Sequence, residues 1–171
     1  MVIARIFVLT YSRRVSGPWP NTDAYPSYAK SGCSVGTSCH QRRILWMFDD
    51  PSAVPLQIDF VLIPNFSLMA FTSAVEPLRS ANRMSGRTLY QWRILSRDGL
   101  PVAASNGIEV ITSGSIANVE RSKVALLVSG IDVHLYEDDR IFAFMRRVAR
   151  QGAVIGALCT GSHLLARAGL L

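Results

Sequence analysis

The sequence predicts an α/β domain built on an open, mostly parallel, doubly wound sheet, and three observations carry that expectation. Two apolar runs too short for helices, Ile58-Asp59-Phe60-Val61-Leu62-Ile63 and Lys123-Val124-Ala125-Leu126-Leu127-Val128, read as strands buried on both faces. Segments with an apolar period near 3.6 residues alternate with them. Late in the chain a third apolar run, residues 153–158, turns through Cys159-Thr160-Gly161 straight into an apolar helix.

The first strand opens near Leu56 and is closed by Pro64 and Asn65. Phe71, Ala74, Val75, Leu78, Ala81 and Asn82 then mark a helix, with Ser73 and Glu76 in capping-box spacing, Pro77 as a kink point and Gly86 as a stop. Residues 91–96 form a second strand. Arg97-Asp98-Gly99 and Ser105-Asn106-Gly107 are turns around a short connection, and residues 108–111 form a third, short strand. The run 123–128 is the central parallel strand. The helix after it carries the apolar stripe Ile141, Met145, Val148 and Ala149. Glu137, Asp138 and Asp139 lie at its positive end, Arg146, Arg147 and Arg150 at its negative end, and Gly152 ends it. The last helix is expected over residues 162–171.

Among 171 residues, 49% are hydrophobic and 18% charged, enough for one ordinary core. The net charge of +6 sits almost wholly in front of the domain. Residues 1–46 hold six basic side chains against Asp23, a net +5, so the remainder carries only +1 and offers no basic face for nucleic acid. Residues 1–55 read as an irregular leader, with Met47 as a candidate natural start, and 56–171 as the domain. Cys33, Cys39 and Cys159 fit no disulfide framework, which points to the cytoplasm. Cys33, Cys39 and His40 lack a fourth ligand, so no metal is expected. No run approaches a membrane span, no signal peptide is evident, and no cofactor is expected.

A tight strand-to-helix turn lifts one side chain out at the carboxyl edge of the sheet, which makes Cys159 the candidate nucleophile, against the plainer reading of a small buried residue. Around it, Phe60 to Ser67, Glu76-Pro77-Leu78-Arg79-Ser80-Ala81-Asn82, Tyr90-Gln91-Trp92, Ser105-Asn106-Gly107, Ser129-Gly130-Ile131-Asp132, Gly156-Ala157-Leu158-Cys159-Thr160-Gly161 and the segment 165–171 follow in one order. That series resembles the N-terminal sensor domain of GlxA-type AraC-family transcriptional regulators, within the ThiJ/PfpI superfamily, which is class I glutamine amidotransferase-like.

The resemblance implies a flavodoxin-like sheet, incomplete at its carboxyl end, in which Cys159 matches the nucleophile and Gly130 stands where backbone N–H groups face the thiol. In enzymes of the superfamily an acidic residue just after the first strand assists the cysteine, but residues 66–71 contain no carboxylate. His163 is expected on the flank of the last helix, away from the thiol. Both points argue against catalysis. The resemblance implies instead a ligand-sensing, dimerising domain of a regulator of small-metabolite catabolism. Its ligand, by that likeness an amino acid or quaternary amine, would meet Cys159, Thr160, Gly130, Ile131, Asp132, His134, Phe66 and Ser67, with Asp132 and His134 otherwise plain loop residues. Such regulators read DNA through a helix-turn-helix that follows the sensor domain, so this chain is expected not to bind DNA specifically. The rivals are a cysteine-dependent enzyme of isonitrile hydratase, amidase or glyoxalase type, and a non-functional fragment.

Overall fold

The computed structural model describes residues 54–171. Cys33, Cys39, His40 and the candidate start at Met47 lie outside the described residues. Strand β1 (Leu56–Leu62) is buried almost throughout, as its unbroken apolar run requires. Helix α1 (Leu68–Ser85) follows it and leads to β2 (Tyr90–Ser96), which pairs parallel to β1. A small antiparallel pair, β3 (Val102–Ala103) with β4 (Glu109–Val110), stands apart from the main sheet. The chain then returns to the main sheet as β5 (Gly114–Ser115), crosses to the far side of β1 as β6 (Val124–Val128), and continues through α2 (Asp139–Arg150), β7 (Val154–Leu158) and α3 (Gly161–Arg167).

The strand order β5-β2-β1-β6-β7, with every neighbouring pair parallel, is a doubly wound sheet. One face packs Ile58, Phe60 and Leu62 against Phe71, Ala74 and Leu78 of α1. The other packs Val61, Ile63, Ala125 and Leu127 against Ile141, Met145 and Val148 of α2 and Leu164 and Leu165 of α3. Connections run one way from β1 to β2 and the other way from β6 to β7, so the winding reverses between β1 and β6. That reversal opens a crevice at the carboxyl ends of these two strands. Among the described residues no helix is long and apolar enough to cross a membrane.

Three expectations need correction. The first helix starts at Leu68, not at Ser73: Ser67 is the N-cap and accepts from Ala70 N–H at 3.2 Å. Glu76 instead pairs with Arg79, at 2.7 Å. Pro77 lies inside the helix, which runs on to the left-handed Gly86 that was read as its stop. The third strand shrinks to Glu109–Val110 and belongs to the side hairpin, while the outer place in the main sheet goes to β5. The last helix ends at Arg167, because Gly169 takes φ 72° and turns the chain.

Asp59 is wholly buried in mid-β1, an exception to the apolar run. It is held by Arg93, directly opposite in register on β2, through bonds of 2.7 and 2.8 Å to its two carboxylate oxygens. A buried carboxylate requires such a forked, charge-assisted partner.

Candidate functional site at the carboxyl edge

Three non-glycine residues have left-handed backbones: Asn65 (φ 61°), Asp132 (φ 57°) and Cys159 (φ 55°). They follow the ends of β1, β6 and β7 respectively, so all three strained turns gather at the carboxyl edge of adjacent strands. At the third, the chain reverses so tightly that Cys159 is exposed, as the elbow reading requires. Among the described residues no side chain is hydrogen-bonded to its sulfur.

Two glycines make the close packing at this edge possible. A Cβ on Gly130 would collide with the carbonyl oxygen of Asn65 and lie 2.8 Å from Ser67 N, and one on Gly161 would lie 2.5 Å from the carbonyl oxygen of Leu127. Thr160 then ties the elbow to β6. Its hydroxyl donates to Gly130 C=O at 2.5 Å and lies 3.2 Å from the buried Ser129 hydroxyl. Ser67 N–H donates to Ser129 C=O at 3.2 Å, which brings the start of α1 to the same point.

Cys159, Thr160, Gly130 and Ile131 therefore sit together, with Asp132 next in the chain. Ile131 is 58% exposed, and Asp132 and His134 are exposed, His134 on a single 3₁₀ turn over Val133–Leu135. Cys159 and Thr160 are likewise exposed at this edge. Phe66 contributes only main chain here. Its ring is buried edge-on against Phe71 at 5.9 Å. Ser67 is spent on the helix cap. His163 is exposed on α3.

Sequence reasoning did not single out the braces around the loop 131–138. Arg167 of α3 donates to Tyr136 C=O and pairs with Glu137, both at 2.8 Å, and Arg97 from the end of β2 pairs with Asp138 at 3.3 Å. Burial, then the neighbouring Asp138 carboxylate, pushes the Tyr136 phenol above its ordinary range. Arg97, placed just after the predicted second strand, and Arg167, within the predicted last helix, were the available signal. Among the described residues no cluster of three or more His, Cys, Asp or Glu side chains could hold a metal.

A doubly wound sheet with a left-handed cysteine at the switch-point edge defines a class, and residues 57–171 match the DJ-1/PfpI family. The chain belongs to that family. Within it, the HTH-type transcriptional regulator GbdR of Pseudomonas aeruginosa is 43% identical over 117 residues, which are 68% of this chain and 32% of that protein. The HTH-type transcriptional regulator GlxA of Rhizobium meliloti is 37% identical over 116 residues, 67% of this chain and 36% of its own. The chain thus spans about a third of the length of these curated relatives. An AraC family transcriptional regulator from Pseudomonas putida superposes with a TM-score of 0.62 at 29% identity, covering 68% of this chain and 63% of that one.

Proposed function

We propose that residues 56–171 form the ligand-sensing and dimerising domain of a cytoplasmic transcriptional regulator of small-metabolite catabolism. The ligand is a small molecule held at the carboxyl edge by Cys159, Thr160, Gly130, Ile131 and Asp132. One observation carries this reading over catalysis: the stretch 66–71 brings no acid to the elbow, and the first acid beyond it, Glu76, is exposed and bonded to Arg79. A thiol without a proton-accepting partner is a poor nucleophile and a serviceable contact. The exposed Asp132 carboxylate, on a left-handed turn beside Gly130, suits a cationic nitrogen on an amino acid or quaternary amine. Ligand binding at the winding reversal would bias the arrangement of a DNA-reading module in the assembled regulator.

Thermal unfolding of the chain with glycine betaine, carnitine or arginine tests this. A ligand at a hundredfold excess over its Kd adds about 2.7 kcal/mol, so one of the three is expected to raise Tm by several degrees. Asp132→Asn should abolish that rise while leaving the unliganded Tm in place. Turnover of an isonitrile, amide or α-oxoaldehyde that disappears in Cys159→Ser would replace the sensor with an enzyme.

A further inference from the structure

The small net charge of the domain hides how its charges are sorted. The five strands of the main sheet all run the same way, so their connections gather at two ends. At the carboxyl end stand Asp98, Glu109, Asp132, Glu137, Asp138 and Asp139 against Arg97, Arg140 and Arg167, a net −3. At the amino end stand Arg83, Arg87, Arg121, Lys123 and Arg150 against Glu120, a net +4. All five of these bases are exposed, and none is paired with a carboxylate among the described residues. Main-chain bonds bring their turns together. Leu56 N–H donates to Leu89 C=O at 2.9 Å, which sets the Arg87 turn beside the start of β1. Val154 N–H donates to Lys123 C=O, also at 2.9 Å. The Arg147 guanidinium donates to the carbonyls of Val119 and Glu120 at 2.8 and 3.0 Å, which draws the end of α2 against the segment before β6. The turns thus form one row in the order β2, β1, β6, β7. Neighbouring strands lie about 4.8 Å apart, so the row is about 14 Å wide at the backbone.

Arg83 and Arg150 lie in the last turns of α1 and α2, where the negative helix ends favour a cation in any protein. Arg87, Arg121 and Lys123 belong to no helix or strand, and helix dipoles do not account for them. Val54, the first described residue, enters at the start of β1, inside this row. The net +5 of residues 1–46 is therefore joined to the domain at the same end, with Asp49 and Asp50 in between. We propose that the amino end of the sheet is a non-specific contact surface for the phosphate backbone of DNA, used alongside the base-reading module of the assembled regulator. Phosphate contact needs exposed cations and no apolar centre. A protein partner would want an apolar core within the patch. Apart from Met84, the turns 83–88, 120–123 and 150–152 expose no large apolar side chain. Duplex DNA carries one charge per about 1.7 Å of its axis, so a row of this width meets more phosphates than it has bases. The inference draws on the regulator class and not on the ligand proposed at the carboxyl edge, so either can fail without the other.

Fluorescence anisotropy of a short labelled duplex of arbitrary sequence, titrated with the full chain from about 50 to 200 mM salt, tests the assignment. Binding is expected to weaken linearly in a plot of log affinity against log salt. The triple variant Arg87→Gln, Arg121→Gln and Lys123→Gln should flatten the slope by about 0.9 for each charge removed, roughly 2.7 in all. Arg97→Gln combined with Arg140→Gln, which removes charge at the carboxyl end, should leave the slope as it is. A duplex that stays unbound at about 50 mM salt overturns the proposal. So does a slope that the triple variant shares with the native chain, which would assign the binding to residues 1–46. Polyglutamate that displaces the duplex at equal charge would assign the face to an acidic protein and likewise overturn it.

Discussion

At the scale of single residues, the carboxyl edge is governed by what two glycines leave out. Gly130 lies so close to the main chain of residues 65–67 that no side chain fits, and the neighbour it would strike is backbone, which cannot swing aside. Gly130→Ala is therefore expected to lower stability by about 2 kcal/mol, in the middle of the overpacking range, as read from the urea midpoint. Gly107→Ala is a poor control because of its own positive φ, whereas Ala143→Gly on the exposed side of α2 gives a useful scale for backbone entropy alone. The elbow itself was legible in the sequence, since a strand, a small residue and a helix in direct succession are local facts. The direction of the Phe66 ring was not. It is decided by Phe71 and by the far side of the sheet, partners that sequence order does not reveal.

Among the elements, the main-sheet strands of five residues or more were readable in the sequence, and the helices from their faces. Helix ends were harder. A 3.6-residue period identifies which face of α1 is buried, but it is blind to the number of turns before the first large apolar residue. Ser73 had the right spacing to Glu76, yet the cap fell to Ser67 because Ser67 N–H is already drawn to Ser129 C=O, a contact between distant segments. Paired substitutions separate the two positions: Ser67→Ala should cost about 1 kcal/mol, and Ser73→Ala, exposed in mid-helix, should be neutral or slightly stabilising. Circular dichroism during thermal unfolding reads both. The strand β5 escaped notice for a different reason: two residues carry no periodicity, and their place beside Leu95 and Ser96 comes from the fold.

For the whole molecule, the predicted architecture and its observed strand order agree, and the family match covers the same stretch. What the sequence left open was how the edge loop is tied down across elements. Tyr136 is part of that tie, its hydroxyl donating to Asp138 at 3.3 Å. Because its folded-state pKa is raised, the neutral phenol is favoured by folding. Its contribution is complete below the ordinary phenol value of about 10 and declines as the pH climbs past that value toward the raised one. Urea midpoints measured from about pH 9 to 11 should thus fall more steeply for the native chain than for Tyr136→Phe. Parallel slopes would show that the phenol ionises as freely folded as unfolded.

The three left-handed turns at Asn65, Asp132 and Cys159 have a practical consequence for anyone improving this domain. Each holds a side chain in a backbone state that glycine occupies without strain, at a cost of order 1 kcal/mol apiece. A library selected for heat resistance alone would drift toward glycine at these positions. Two of the three are the thiol and the carboxylate proposed to meet the ligand, so thermal selection and ligand response would pull this edge in opposite directions, and only a screen scoring both would preserve it.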